Sequence, residues 1–144
     1  MLKGIDPLLG PGLLAILRGM GHGDEIVIAD ANFPAESTAT GGRLIRADGV
    51  DAPRMVAAIV SVLPLDGFVP AAAFRMAVVE KPDDVPAITR QFMSALAREG
   101  YEGPIEAIER FAFYERAKKA FAVVATGETR LYGNLILKKG VVRG

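Results

Sequence analysis

Gly21-His22-Gly23-Asp24 holds the only histidine of the chain, so any chemistry that needs an imidazole must pass through His22. Histidine titrates near neutrality and both gives and takes protons there. Glycines on either side leave the ring uncrowded and let backbone approach a ligand, in a connecting loop of the kind where binding groups concentrate. The plain alternative is a structural or merely exposed histidine. Asp30 closes the apolar run Glu25-Ile26-Val27-Ile28-Ala29. It can orient an imidazole, grip a hydroxyl, or simply end a strand, and spacing does not choose among these. A second segment, Arg110-Phe111-Ala112-Phe113-Tyr114-Glu115-Arg116-Ala117-Lys118-Lys119, interleaves aromatic residues with cations. Because Phe111, Tyr114, Ala117 and Phe121 recur at helical spacing, it reads as an amphipathic helix with a solvated basic face. The third, Tyr132-Gly133-Asn134, places a hydroxyl and an amide around a glycine that admits close backbone approach. Taken alone it is a turn within an otherwise strand-like stretch, and Lys138-Lys139 beyond it reads as a charged strand end.

Counting residues removes many chemistries. With no cysteine among 144 residues, disulfides, iron–sulfur clusters, zinc–thiolate sites and thiol nucleophiles are excluded. One histidine excludes multi-histidine metal sites and H-E-x-x-H chemistry. The 17 Lys and Arg are balanced by 17 Asp and Glu, which leaves no basic excess to neutralise phosphates, and no nucleic-acid partner is expected. Gly10-Pro11-Gly12-Leu13-Leu14-Ala15 matches G-x-G-x-x-A formally, but the nine residues before it leave no strand to open a βαβ unit. No phosphate-loop motif exists. Asp24, Glu25, Asp30, Glu109 and Glu115 are available as a carboxylate pair for glycoside hydrolysis, yet nothing sets a separation between any two. Residues 1–20 are broken by Asp6, Pro7, Gly10, Pro11 and Arg18, unlike a signal peptide. No run approaches the roughly 20 apolar residues of a membrane span, so a cytoplasmic chain without a membrane partner is expected.

The elements that must position these residues alternate between helix and strand. Proline at the first helical position and the Leu13, Leu14, Leu17, Met20 spacing predict a helix that the glycines after Arg18 stop. A strand over 25–29 ends at Asp30, a loop rich in Pro, Ser, Thr and Gly fills 31–43, and a short strand over 44–46 leads to the turn Asp48-Gly49. Asp51 opens a helix with Met55, Val56, Ile59, Val60 and Leu63 on one face. A strand is expected over 74–80, then a helix capped by Asp84, with Pro86 in its first turn and Gly100 at its end. A short strand over 105–108 precedes the helix over about 111–119. Two final apolar runs, 121–125 and 135–137, flank a turn near Gly127 and read as a pairing of two strands. The expectation is one α/β domain over residues 1–144, a mixed β-sheet covered by helices in layers.

Taken together, these segments resemble a known family, the L-fucose mutarotases, related to the D-ribose pyranases. The resemblance rests on Met20-Gly21-His22-Gly23-Asp24-Glu25-Ile26, Asp30-Ala31-Asn32-Phe33-Pro34 and Ile45-Arg46-Ala47-Asp48-Gly49. It continues through RFAFYERA (110–117), AFAVVATGE (120–128), Tyr132-Gly133-Asn134 and Leu137-Lys138-Lys139-Gly140-Val141. It runs in order over residues 1–142 and is thinnest over 35–44 and 81–106. The ribose branch typically carries Tyr-Ala-Asn at 132–134 and lacks RFAFYERA, so the fucose branch is the closer match. The resemblance implies interconversion of the α and β anomers of a free monosaccharide, L-fucose foremost, without metal or cofactor. It also implies a ring-shaped homo-oligomer, a decamer, with sites between neighbouring subunits. The family's catalytic histidine falls on His22, and its sugar-binding residues on Asp30, Arg110 and the Tyr132, Gly133, Asn134 segment. Mutarotation needs one acid and one base that exchange roles, which assigns His22 one of them and Tyr132, or less directly Tyr114, the other. The alternatives are a D-ribose pyranase, exchanging pyranose and furanose, and a non-catalytic monosaccharide-binding module.

Overall fold

The computed structural model describes all 144 residues, Met1–Gly144. Six strands form one sheet in the order β2-β5-β1-β6-β3-β4: β1 (Glu25–Ala29), β2 (Leu44–Ala47), β3 (Ala73–Met76), β4 (Ile105–Ile108), β5 (Ala122–Thr126) and β6 (Leu135–Lys138). Only β6 runs against its neighbours; the pairs β1–β5, β2–β5 and β3–β4 are parallel. Parallel strands need crossovers that leave helices on the sheet faces. On one face lie α1 (Pro11–Gly19), α3 (Ala52–Val60) and α4 (Ala87–Arg98), and on the other the single turn α2 (Ala35–Thr38) and α5 (Arg110–Lys118). The mixed, helix-covered sheet expected from the sequence is the one observed.

Strand β1 shows why the layers form. Ile26 and Ile28 pack into a cluster with Leu13, Met55, Ile59 and Phe92, while Val27 and Ala29 pack on the opposite face with Phe113, Val123 and Ile136. All four β1 residues from Ile26 to Ala29 are fully buried, as a strand covered on both sides must be. Burying each of the larger side chains is worth about 1.5–3 kcal/mol. Asp51 caps α3 by accepting the Arg54 N–H at 2.8 Å. The Lys139 ammonium donates to the Leu17 carbonyl at 3.3 Å and to that of Met20, meeting orphan carbonyls at the end of α1.

Several expectations need correction. The two last apolar runs do not pair: β5 and β6 lie on either side of β1, β5 parallel to it and β6 antiparallel. The sheet is mixed because β6 is inserted in reverse, and no hairpin is involved. Tyr132-Gly133-Asn134 lies ahead of β6, not inside a strand. β3 ends at Met76 and not at residue 80; the chain beyond it closes a turn, with the Lys81 N–H donating to the Val78 carbonyl at 3.1 Å and Glu80 in a left-handed backbone (φ 64°). α4 begins at Ala87 with Pro86, two positions beyond Asp84, as its cap residue, since Pro86 disfavours helical backbone at Val85. The loop over 31–43 contains α2.

Arg75 in β3 is 6% exposed, meets no carboxylate, and donates only from Nη1 to its neighbour's carbonyl, that of Met76, at 3.5 Å. Burial pushes its pKa below the usual arginine value. An unpaired buried cation is destabilising, so Arg75→Met should raise stability by about 1–3 kcal/mol in denaturant titration.

Candidate functional site

The insertion of β1 between β5 and β6 dictates the site. Residues 127–134, which join β5 to β6, have to cross the carboxyl end of β1, where Asp30 sits. Thr126 Oγ1 donates to the Ala29 carbonyl at 2.8 Å and accepts the Glu128 N–H at 3.3 Å, and the Ala31 N–H donates to the Glu128 carbonyl at 2.8 Å. The Glu128 side chain, 3% exposed, is the crossing's anchor. Its carboxylate accepts from the Ala52 N–H at 3.3 Å and from the Arg130 N–H, Nε and Nη2 at 2.8–2.9 Å. The Arg130 guanidinium holds the Glu128 carboxyl down from its ordinary 4.5 to about 2.

Under the crossing, Asp30, Phe33, Met76, Arg110, Tyr114, Tyr132 and Asn134 line a cavity of about 190 Å³. Asp30 is 8% exposed; Oδ1 accepts the Asn32 N–H at 3.0 Å and Oδ2 accepts from Asn134 Nδ2 at 3.1 Å. Burial pushes its carboxyl up, while the donors of Asn32, Asn134, Phe33 and Gly133 pull it back. Asn134 Oδ1 is the one buried side-chain oxygen or nitrogen without a hydrogen-bond partner. Leaving such an acceptor unmet costs about 1–3 kcal/mol, which a ligand hydroxyl would offset. Tyr132 Oη accepts the Val79 N–H at 3.1 Å. Gly133 is required by space: a Cβ there would lie 2.6 Å from Glu128 Cγ and 2.9 Å from the Arg130 carbonyl oxygen. The Arg110 guanidinium sits 4.8 Å from the centre of the Phe111 ring and engages no carboxylate, and the Tyr114 ring is 5.5 Å from that of Phe33.

His22 stands apart from this cavity. It precedes β1 and Asp30 follows it, so a five-residue strand, spanning about 17 Å, separates them. The carboxylate beside the imidazole is Asp66, not Asp30: His22 Nε2 lies 3.2 Å from Asp66 Oδ2. Asp66 is 4% exposed and also accepts the Phe68 N–H at 3.0 Å. The Phe68 amide, followed by His22, holds its carboxyl below the usual range. The Phe68 ring lies 5.6 Å from the imidazole.

The fold thus gathers Asp30, Arg110, Tyr132, Gly133 and Asn134, with Tyr114, and places His22 elsewhere in the same chain. Asp66, Glu128, Phe33 and Met76 were not singled out from the sequence as site residues. Nothing local in Leu65-Asp66-Gly67 marks Asp66 as facing a residue more than forty positions away. No three His, Cys, Asp or Glu side chains converge as a metal site would require, and no helix is long and apolar enough to cross a membrane.

Comparison with known proteins places this arrangement in context. Residues 3–142 match the RbsD / FucU transport protein family. Fucose mutarotase of Bos taurus is 53% identical over 146 residues, covering 99% of this chain and 95% of that protein. The Homo sapiens fucose mutarotase is 52% identical, over 98% of this chain and 94% of its own. Among solved structures, the fucose mutarotase of Streptococcus pneumoniae in complex with L-fucose superposes with a TM-score of 0.91 at 48% identity, covering 99% of this chain and all of the other. RbsD of Bacillus subtilis complexed with D-ribose is more distant, with a TM-score of 0.74 at 26% identity over 99% of this chain and all of its own.

Two outcomes follow from the crossing. Gly133→Ala should destabilise the chain by about 1–3 kcal/mol in thermal or denaturant unfolding, because the new methyl overpacks against Glu128. The lowered Glu128 pKa contributes stability that is fully present above about pH 4.5 and is lost as pH falls toward about 2. Denaturation midpoints measured across that window should fall steeply for the wild type and less steeply for Glu128→Gln.

Proposed function

The chain belongs to the RbsD / FucU family, and on that footing we propose that it interconverts the α and β anomers of L-fucose, an isomerase acting on a free sugar. The observation that carries this reading is similarity to fucose mutarotases at 52–53% identity over nearly the whole chain, joined to a small cavity rich in hydrogen-bonding groups. The ribose-bound relative is about half as similar in sequence, so pyranose–furanose exchange of D-ribose is the weaker reading. We take residues 1–144 as one sugar-mutarotase domain of a cytoplasmic enzyme.

The chemistry needs proton transfer only. One group removes the anomeric hydroxyl proton while another protonates the ring oxygen, and the C1–O5 bond opens to give the aldehyde. Rotation about C1–C2 and closure on the other carbonyl face yield the other anomer, with acid and base exchanging roles. We assign His22, oriented by Asp66, to one role and Tyr132 to the other, with Tyr114 as the alternative; such catalysis supplies about 10²–10⁴-fold. Asp30, Arg110, Asn134 and the backbone at Gly133 hold sugar hydroxyls and orient the reacting bonds. No metal or cofactor takes part.

His22 and the Asp30 cavity lie at opposite ends of β1, so one chain does not hold both halves of this machinery together. We therefore propose that His22 of the partner subunit completes each cavity. Exposed apolar side chains support this at both ends: Phe68 (64%) beside His22, and Leu131 (74%) and Phe111 (64%) beside the cavity. Two unlike patches meeting head to tail generate a closed ring when the rotation closes, as in the decamer expected from the family.

Saturation-transfer NMR at the anomeric proton tests the activity: catalytic amounts of protein should speed exchange of L-fucose far more than pyranose–furanose exchange of D-ribose. Binding without acceleration would favour a non-catalytic module. His22→Ala and Asp30→Ala should each be inactive alone. Co-assembled, they should regain roughly a quarter of wild-type activity, because random neighbours rebuild that share of sites from intact halves. No recovery would refute the shared site.

A further inference from the structure

Glu80 and Tyr132 are the only non-glycine residues with a left-handed backbone, at φ 64° and 60°. They lie far apart in sequence, yet one hydrogen bond links their segments: the N–H of Val79, next to Glu80, donates to Tyr132 Oη at 3.1 Å. Left-handed backbone disfavours a residue with a side chain, and such strain persists only where the surroundings enforce it. The Glu80 side of the bond is a tight turn. The Lys81 N–H donates to the Val78 carbonyl at 3.1 Å, which puts Val79 and Glu80 at its two central positions. A positive φ at the second of these is the signature of a type II turn. In that geometry the Val79 N–H takes no part in closing the turn and is free to point at another group.

A tyrosine hydroxyl has one proton and accepting lone pairs. The Val79 amide occupies an accepting position, and no protein group accepts the Tyr132 proton; Tyr132 and Val79 both line the cavity that Asp30, Asn134 and Arg110 share. We infer that the strap formed by residues 77–80 is a positioning element for the proposed reaction: the Val79 N–H fixes the direction of the Tyr132 hydroxyl, so that its proton faces the sugar. The inference rests on the functional reading above and adds to it a residue outside the sugar-binding set, Glu80, which acts through backbone shape alone. The only protein group bonded to the Tyr132 hydroxyl is thus a backbone amide of the strap and not a neighbouring side chain.

Two measurements test this. Hydrogen exchange of the Val79 amide, followed by NMR in the assembled protein, should be protected in the wild type and about tenfold faster or more in Tyr132→Phe. Unchanged protection would overturn the strap bond. This arm needs no activity, so it still decides the strap if the protein exchanges no anomers and the functional reading fails. The second is a double-mutant cycle in anomer exchange. Glu80→Gly, which tolerates the left-handed turn, should keep wild-type rates. Glu80→Ile, whose branched side chain opposes it, should lower kcat about tenfold with little change in KM. In the Tyr132→Phe background, Glu80→Ile should have no further effect. Equal losses in both backgrounds would show that the strap acts on the cavity generally, and would overturn the inference.

Discussion

One topological constraint governs this molecule: β1 is threaded between β5 and β6, two strands adjacent in sequence that would otherwise pair. The chain joining them has to climb over the end of β1, and that climb delivers Tyr132, Gly133 and Asn134 onto Asp30. In open α/β sheets, crevices at the carboxyl ends of parallel strands are the usual ligand sites. Here the reversal of β6 supplies the crossing that roofs the crevice. The site is therefore a consequence of strand order more than of any local motif.

A second principle is the division of labour among polar groups. Glu128, a buried carboxylate, is saturated with donors from Ala52 and Arg130 and holds the crossing in shape without reaching the cavity. The cavity residues, by contrast, keep bonding capacity in reserve: Asn134 Oδ1 lacks a donor and Arg110 lacks a carboxylate. Buried polar networks rigidify when fully satisfied and are costly when they are not. Rigidity and recognition are thus assigned to different residues a few positions apart, and Gly133 is the contact where the two sets touch.

Sequence reasoning recovered much of this and failed in instructive places. The helices announced themselves through spacing such as Met55, Val56 and Ile59, and β1 through an unbroken apolar run, because burial imposes those patterns directly. Val78 and Val79 are β-branched and extend the apolar run beyond β3, but the turn they enter meets Tyr132, more than fifty positions away, through the Val79 N–H. The apolar runs around Gly127 looked like a hairpin because nothing near them records that β1 lies between. His22, Asp30, Arg110, Tyr132 and Asn134 stood out by chemical type and by family resemblance. The partnership of His22 with Asp66 did not, since it joins two loops that only the folded sheet brings together.

A strand buried on both faces has an unexpected weakness. Most strands alternate apolar and polar residues, so sliding by one position exposes the wrong side chains and the error corrects itself. Ile26-Val27-Ile28-Ala29 offers no such signal, because every residue is apolar and either face would accept it. The strand must be indexed from its ends. At one end the Gly23 N–H and Asp24 carbonyl pair with Lys139 at 2.9 and 2.8 Å, and Asp24 Oδ2 accepts the Gly21 N–H at 2.7 Å. At the other, Asp30 grips Asn32 and Asn134. The segments that carry His22 and Asp30 are thus also the stops that keep β1 from slipping, and damage to either would blur the alignment of the whole sheet.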